Sequence, residues 1–381
     1  MTFRRILAAA IVVAAAQPAF ADVNIGITLS MTGPAASLGI PARNAVALMP
    51  REIGGEKVNY IVYDDASDST NSLRNFQKLV TENNIDVMMG SSVTPATLAL
   101  IDAVAEAKVP LIALAASSTI VLPMDDKRQW IFKPIQNESL MMDVTAAHMK
   151  QKGIKSIGYI GFSDSYGDSW LGVLQKSAEA NGIKVTAVEK FARSDTSVTA
   201  QVLKVVSTKP DAVFLAASGT PAALPPKSLN ERGFKGTVYQ TYGVANADFL
   251  RVAGKDADGS FFAVAPVMVV DELPDSAPMK KNAVEFTRRY EEAHGPGTRS
   301  IFASNIWDGS LLVQQAVSIA LKSAKPGTVE FRKGVRDALE STKDFVSTQG
   351  VFNMTPQDHV GYDERAAVMV EIRGGKWHLL K

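Results

Sequence analysis

Small hydroxyl side chains follow two strand-like segments, at the points where each strand would give way to a helix. Gly90-Ser91-Ser92-Val93-Thr94-Pro95 follows one strand, and Ala115-Ala116-Ser117-Ser118 follows the next. The first segment predicts a hydroxyl residue at a helix N-cap and Pro95 at the first helical position. N–H groups at a helix N-terminus, with hydroxyls beside them, suit an anion such as a carboxylate. The local sequence leaves open the alternative that these residues only cap helices.

Signals for catalysis and metal binding are weak. Gly161-Phe162-Ser163-Asp164-Ser165 resembles a nucleophile elbow except at its last position, where glycine is required. Asp64 and Asp65 would point to opposite faces of an extended strand, which favours a turn or capping role over an acid–base pair. No cysteine is present, and no metal-ligand spacing relates the four histidines, His148, His294, His359 and His378. With no Walker loop and no GxGxxG, the sequence predicts no metal, no cofactor and no enzymatic activity.

The N-terminus is predicted to be an export signal. Arg4 and Arg5 precede an apolar run, Ile6 to Ala16, that is too short to span a bilayer, and Ala19-Phe20-Ala21 fits a cleavage site. Loss of residues 1–21 would change the formal charge from +1 to −1, which argues against nucleic acid as a partner. Because the chain has no cysteine, the exported product must rely on a large core instead of disulfides.

Predicted strands and helices alternate along the rest of the chain, which is typical of α/β proteins. The strand predicted from Val23 to Leu29 begins one series, with helices over Ser69 to Asn83 and Pro95 to Ala107, and the strand from Ser156 to Gly161 begins another. Short apolar strands between helices indicate parallel sheets covered on both faces. Two such doubly wound units imply a cleft at the carboxyl ends of the strands. Later segments return to the first unit, and several crossings would form a hinge.

Seven short motifs, spread over nearly the whole chain behind the signal, form a specific pattern by their order and spacing. They are Ser30-Met31-Thr32-Gly33-Pro34, Tyr63-Asp64-Asp65, Gly90-Ser91-Ser92-Val93-Thr94-Pro95, Val109-Pro110-Leu111-Ile112, Trp130-Ile131-Phe132-Lys133, Ser165-Tyr166-Gly167-Asp168 and Pro210-Asp211-Ala212-Val213. In this pattern the chain resembles the periplasmic solute-binding proteins of ABC transporters, in the branch that includes the leucine/isoleucine/valine receptors.

The resemblance implies two Rossmann-like lobes joined by a multi-strand hinge. Residues 1–21 would be the signal peptide, 22–134 plus 266–349 lobe 1, and 135–265 plus 350–381 lobe 2, with crossings near Pro134, Ala265 and Gly350. It also implies a periplasmic monomer that binds a small-molecule carboxylate by cleft closure and delivers it to a membrane permease.

The family's site residues map onto this chain at several positions. Hydroxyls and backbone N–H groups of the first lobe hold the ligand carboxylate in the family, which the resemblance assigns to Ser92, Val93, Thr94, Ala115 and Ser117. An aromatic residue of the second lobe closes over the ligand, and Tyr166 matches it.

Three positions depart from the amino-acid receptors of the family. Tyr242 stands where those carry an acid for the ligand ammonium, Leu38 stands where an aromatic is usual, and Gly219 stands in place of a tyrosine. A buried ammonium without a counter-charge is costly. These departures predict an aromatic or aryl-keto acid, with room left at Leu38 and Gly219 and with Tyr166 and Tyr242 contacting its ring or bonding its keto or hydroxyl group. The alternative is a branched-chain or other aliphatic amino acid or an amide, with Tyr242 only lining the wall.

Two further classes of protein remain open at the level of sequence. A signalling receptor would share every feature above and pass the closed lobes to a membrane sensor. A secreted hydrolase would use Ser163 as its nucleophile.

Overall fold

The computed structural model describes residues 22–380, and the predicted export signal lies outside them. The strands are β1 (Val23–Leu29), β2 (Glu52–Ile53), β3 (Glu56–Asp64), β4 (Val87–Met89), β5 (Leu111–Ile112), β6 (Ile131–Phe132), β7 (Ser156–Phe162), β8 (Lys184–Phe191), β9 (Ala212–Ala216), β10 (Thr237–Gln240), β11 (Ser260–Val264), β12 (Phe345–Val346), β13 (Val351–Phe352), β14 (Val368–Arg373) and β15 (Lys376–Leu379). The α-helices are α1 (Ala36–Val46), α2 (Ser69–Asn83), α3 (Thr94–Leu98), α4 (Ile101–Ala107), α5 (Glu138–Gln151), α6 (Ser165–Ala180), α7 (Thr199–Ser207), α8 (Leu224–Glu231), α9 (Ala247–Ala253), α10 (Lys280–His294), α11 (Ile301–Ala320) and α12 (Val329–Glu340).

Two largely parallel sheets form the centres of two lobes. The first sheet has the strand order β2-β3-β1-β4-β5-β6, and the second has the order β15-β14-β11-β10-β9-β7-β8. The antiparallel pairs in these sheets, β2 with β3, β11 with β14 and β14 with β15, lie towards one edge of each sheet. The predicted α/β fold with two Rossmann-like lobes is therefore confirmed, and we call the parts built on these sheets the first and second lobes.

Local sequence explains the elements that carry the first lobe. The central strand β1 is apolar and almost wholly buried, as expected for a parallel strand covered on both faces. Helix α2 has its predicted bounds, with the Asp68 carboxylate accepting a hydrogen bond from the Asn71 N–H at its N-cap. The prediction of a single helix from Pro95 to Ala107 is wrong, because α3 ends at Leu98 and a separate helix, α4, begins at Ile101.

The third crossing between the lobes involves residues 351–367. Strand β13 pairs with β12, and the His359 ring stacks on Phe132 with the ring centroids 4.1 Å apart. Val360 packs in the core of the first lobe beside Ile131, whereas β14 begins at Val368 in the second sheet. We therefore infer that this crossing lies between Val360 and Val368, later than Gly350. The other lobe boundaries stay predictions.

Among the helices of residues 22–380, none has the length and apolar character needed to cross a membrane.

Gly39 provides a test of how closely α1 approaches the loop after β1. A Cβ at Gly39 would stand 2.1 Å from the Ser30 carbonyl oxygen, whereas a Cβ at Gly172 in α6 would meet no atom within 4 Å. We expect Gly39→Ala to lower the free energy of unfolding by about 1–3 kcal/mol, because the helix and loop must separate. Gly172→Ala should be neutral or stabilising by about 0.5–1 kcal/mol. Urea denaturation of both variants measures this, and equal effects would contradict the close approach.

Candidate functional site

A cavity lies where the carboxyl ends of the strands of the two lobes face each other. Its free volume is about 20 Å³, room for about one water molecule, so the two walls lie close together and must move apart to admit a larger ligand. Of the nine predicted site residues, Ser117 and Gly219 do not line it. The seven that do are Leu38, Ser92, Val93, Thr94, Ala115, Tyr166 and Tyr242. Residues that the sequence reasoning did not select complete the wall: Leu114, Ala116, Ile135, Arg193, Ser218, Gly243, Phe302 and Asn305.

A buried carboxylate fixes the first-lobe side of this cavity. Asp65 accepts hydrogen bonds from the hydroxyls of Ser30, at 2.7 Å, and of Ser91, and from the Ser67 N–H at 3.0 Å. Burial raises the pKa of Asp65, and the two hydroxyl bonds oppose that rise. The Ser30 N–H in turn donates to the Ser92 hydroxyl at 3.2 Å. Asp65 therefore joins the loops that follow β1, β3 and β4.

The neighbouring Asp64 holds a different set of loop residues. Its carboxylate accepts hydrogen bonds from the N–H groups of Met31 and Ala66 and from the Thr32 hydroxyl. The two adjacent carboxylates thus have different partners, as expected for turn residues.

Thr94 presents its hydroxyl group to the cavity. Helix α3 begins at Thr94 itself, and the N-cap residue is Val93, whose side chain makes no capping bond. The predicted hydroxyl cap is therefore wrong, and Pro95 occupies the second helical position. The Thr94 hydroxyl is buried and has no hydrogen-bond partner among the described residues. A buried polar atom of this kind is normally paired, so it is placed to bind a ligand oxygen.

Ser117 joins the two lobes instead of lining the cavity. Its hydroxyl donates to the Ser169 hydroxyl at 2.8 Å, and Ser169 donates to Glu138 Oε1 at 2.6 Å. The Ser118 N–H donates to Glu138 Oε2 at 2.8 Å. Glu138 and Ser169 belong to α5 and α6 of the second lobe, so this chain of bonds forms only when the lobes meet.

Tyr166 and Tyr242 line the cavity with their rings. The Thr241 hydroxyl donates to the Ala217 carbonyl at 2.8 Å, so the Tyr166 hydroxyl must donate to Thr241 Oγ1, at 2.7 Å. The Tyr242 hydroxyl donates to the Gln136 carbonyl at 3.2 Å. Burial raises the pKa of both phenols, so both are neutral. Neither tyrosine has a proton left for a ligand keto group, and their contribution is the ring face.

Gly219 does not enlarge the cavity as predicted. A Cβ at this position would stand 2.5 Å from Ser37 Oγ and 2.6 Å from Leu38 Cδ1, and the φ of Gly219 is +63°. The space opened by the missing side chain is therefore filled by the first lobe. The close approach also lets the Thr220 N–H donate to the Ser37 hydroxyl at 3.1 Å across the cleft.

Arg193 is the main residue that sequence reasoning missed. Its Nε donates to Asp164 Oδ2 at 2.6 Å and its Nη1 donates to the Ser218 hydroxyl at 3.1 Å. The guanidinium carbon lies 4.1 Å from the centroid of the Phe162 ring. Nη2 is buried without a hydrogen-bond partner among residues 22–380. The available signal was its place directly after β8, at the same edge of the sheet as Tyr166.

A second buried pair of charges stands behind the cavity wall. Lys133 Nζ donates to the Ala116 carbonyl at 2.6 Å, and burial lowers the pKa of Lys133 to about 8, with the Glu138 charge opposing that fall. The two oxygens of Glu138 are occupied by Ser118 and Ser169.

Within the described part of the chain, no group of three histidine, aspartate or glutamate side chains is arranged to hold a metal ion.

Two doubly wound lobes that meet at the carboxyl ends of their strands, with a cavity between them, are typical of a bilobal ligand-binding protein. The sequence model of the periplasmic binding protein family matches residues 22–376, so the chain belongs to that family. This confirms the resemblance found in the sequence motifs. The family consists of ligand-binding receptors and is not a family of enzymes.

The chain is similar to several known ligand-binding proteins, at about half identity or at about one fifth identity. An extracellular ligand-binding receptor from Rhodopseudomonas palustris HaA2 is 47% identical with a TM-score of 0.92, covering 94% of this chain and 100% of that chain. The Leu/Ile/Val-binding protein homolog 3 of Brucella melitensis is 23% identical over 258 residues, which are 66% of this chain and 69% of that protein. A branched-chain amino acid transporter substrate binding protein from Streptococcus pneumoniae, solved in complex with isoleucine, shares the fold at 19% identity and a TM-score of 0.76, over 94% of this chain and 99% of that chain.

The contact through Ser169 predicts a measurable effect on lobe closure. Ser169→Ala removes the hydroxyl that links Ser117 to Glu138, at a cost to the closed form of about 1 kcal/mol, or roughly fivefold in the closure equilibrium. We expect a larger mean separation of the lobes, measured by energy transfer between dyes attached at Gln77→Cys and Lys204→Cys. The chain has no other cysteine to interfere with labelling.

Ser177→Ala on the same helix is the matched control, since Ser177 lies two turns further from the cleft. If both variants gave the dye separation of the parent protein, the Ser169 bond would have no part in closure.

Proposed function

We propose that this protein is a periplasmic receptor that binds a small aromatic or aryl-keto carboxylate and delivers it to an ABC importer. The observation that carries the proposal is the charge of the cavity wall. Among the described residues that line the cavity, Arg193 carries a charge and none carries a carboxylate. A ligand carboxylate has donors there, and a ligand ammonium has no counter-charge.

The nearby carboxylates cannot take the place of the missing acid. Asp164 is bound to Arg193 through one oxygen and accepts the N–H groups of Tyr166 and Gly167 at the start of α6 through the other. Glu138 gives both oxygens to Ser118 and Ser169. A buried α-ammonium could bond to the unpaired Asn305 Oδ1 at the wall, but it would lack a counter-charge, which costs several kcal/mol.

Aromatic rings give the cavity walls suited to a flat apolar body. Tyr166, Tyr242 and Phe302 line it, and Trp170 packs edge-on to both tyrosines with centroid distances of 6.4 and 5.8 Å. Trp170 thereby fixes the orientation of the two rings. Edge-to-face and offset contacts with a ligand ring would each add to the energy of simple burial.

The first lobe supplies the groups for the carboxylate. We assign the carboxylate to the hydroxyls of Ser92 and Thr94 and to the backbone of Val93 and Ala115. Ligand bound there would bridge to the rings of the second lobe and so favour the closed form that a permease recognises. This mode of delivery fits a monomer.

An aliphatic amino acid is the competing ligand, because relatives such as the Brucella protein are named for leucine, isoleucine and valine. Isothermal titration calorimetry and thermal shift with benzoate, benzoylformate and 3-phenylpropanoate, against the three amino acids, decide between them. We expect the aromatic acids to raise the melting temperature, since a ligand at one hundred times its Kd adds about 2.7 kcal/mol of stability. Stabilisation by the amino acids alone would overturn the proposal.

Thr94→Val tests the carboxylate site without disturbing the fold. The substitution removes a buried hydroxyl that has no protein partner, so the free energy of unfolding of the unliganded protein should stay the same or rise. Affinity for the aromatic acid should fall by about tenfold or more, because a hydrogen bond to a charged group is worth about 1.5–3 kcal/mol.

Thr287→Val is the control for this substitution. The Thr287 hydroxyl is also buried without a partner in the described part of the chain, but it lies on α10 and does not line the cavity. It should change stability in the same direction as Thr94→Val and leave affinity unchanged. An unaltered affinity in Thr94→Val would remove Thr94 from the site.

A further inference from the structure

We infer that Arg193 recognises an oxygen substituent on the ring of the ligand, such as a hydroxyl or keto group, separately from the carboxylate. This inference rests on the proposed function, because it assigns the remainder of an aromatic acid within the same cavity. It makes Arg193 a residue that determines which aromatic acids the receptor prefers.

Arg193 and the assigned carboxylate groups belong to opposite walls of the cavity. Thr94 and Ala115 follow β4 and β5 of the first lobe, and Arg193 follows β8 at the edge of the second sheet. The guanidinium carbon lies 5.6 Å from the centroid of the Tyr166 ring. A flat ligand lying on Tyr166, with its carboxylate at the first lobe, would bring its far end to Arg193.

The guanidinium is held rigidly for this task. Asp164 binds Nε at 2.6 Å, Ser218 binds Nη1 at 3.1 Å, and the Phe162 ring lies beneath the guanidinium plane. Nη2 remains buried without a partner in residues 22–380. Because Nε and Nη1 each already donate a hydrogen bond, Nη2 is the nitrogen of Arg193 that remains without a partner, and its position is fixed before the ligand arrives.

The ion pair of Arg193 and Asp164 favours a neutral oxygen on the far end of the ligand over a second ligand carboxylate. Asp164 already balances Arg193 through their direct contact, with the side chains only 22% and 13% exposed. A second ligand carboxylate would be attracted by Arg193 and repelled by Asp164 at similar range. A phenol or keto oxygen satisfies Nη2 without that repulsion. An unsubstituted ring would leave the buried donor unpaired, which should weaken binding by about tenfold or more.

Paired acids that differ by one oxygen test the inference. The pairs are benzoate with 3- and 4-hydroxybenzoate, and 3-phenylpropanoate with 3-(4-hydroxyphenyl)propanoate, titrated calorimetrically into the whole protein. We expect at least one hydroxylated acid to bind about tenfold or more tightly than its parent, the ratio that a previously unpaired buried donor gives. In Arg193→Met this ratio should fall to about one.

Arg251→Met is the matched control, because Arg251 is also paired with an aspartate of the second lobe, Asp248, but is exposed at the surface. It should keep the parent ratio. Ser218→Ala leaves the guanidinium in place but removes one of the bonds that fix it, so an intermediate ratio is expected. This second variant keeps the test informative if Arg193→Met folds poorly.

The outcomes separate this inference from the proposed function. If no hydroxylated acid exceeds its parent, or if Arg193→Met keeps the ratio, Arg193 does not recognise the substituent while aromatic-acid binding stands. If Arg193→Met weakens both members of a pair equally, Arg193 holds the carboxylate instead, and the inference fails. If none of the acids binds the parent protein, the proposed function fails and this inference fails with it.

Discussion

The Asp65 carboxylate is the interaction on which the first-lobe side of the cleft depends. An ionised group removed from water is costly unless donors surround it, and here Ser30, Ser91 and Ser67 supply them from three separate loops. Each loop follows a different strand, so the carboxylate sets the relative positions of the ends of β1, β3 and β4. Ser92 follows Ser91 directly and Thr94 lies three residues after it, so both belong to the segment that Asp65 anchors through Ser91.

The charges around the cavity are balanced before any ligand is considered. Arg193 is paired with Asp164, and the charge of Glu138 acts on the buried Lys133, while the other polar groups at the wall are hydroxyls, N–H groups and the Asn305 amide. A site of this kind suits an anion that is held by directed hydrogen bonds, because no large fixed charge needs to be neutralised. On the proposed function a zwitterion is disfavoured, because its ammonium would need a carboxylate that is already occupied. The proposed function assigns the distinction between these two ligands to Tyr242, which stands where the resemblance places an acid in the amino-acid receptors.

Much of the fold follows from the sequence because strand ends and helix caps are local signals. The apolar run of β1 and the capping aspartate of α2 each specify their element within a few residues. Thr94 was likewise accessible as a strand-end residue, and Tyr166 was accessible through the resemblance to the family. Arg193 had only the weak signal of its place after β8, because its partners Asp164 and Ser218 lie on other loops and meet it only in the folded lobe. Phe302 and Asn305 lie on α11, far along the chain from the strand ends that they face.

The hydrogen bonds of the Tyr166 and Tyr242 hydroxyls also could not be predicted from the sequence. Their acceptors, Thr241 and Gln136, become neighbours of these hydroxyls only through the packing of the second lobe and its hinge.

Ser117 shows that recognition and closure use different residues of the same loop. Ala115 lines the cavity, whereas Ser117, two residues later, bonds to Ser169 of the opposite lobe. The measured affinity of such a receptor is its affinity in the closed form reduced by the fraction of molecules that are closed. Contacts such as Ser117 with Ser169 and Ser37 with Thr220 set that fraction without touching the ligand. On the proposed assignment, ligand preference can change through Arg193 or Tyr242 while closure is unaffected, because a separate set of side chains carries each property.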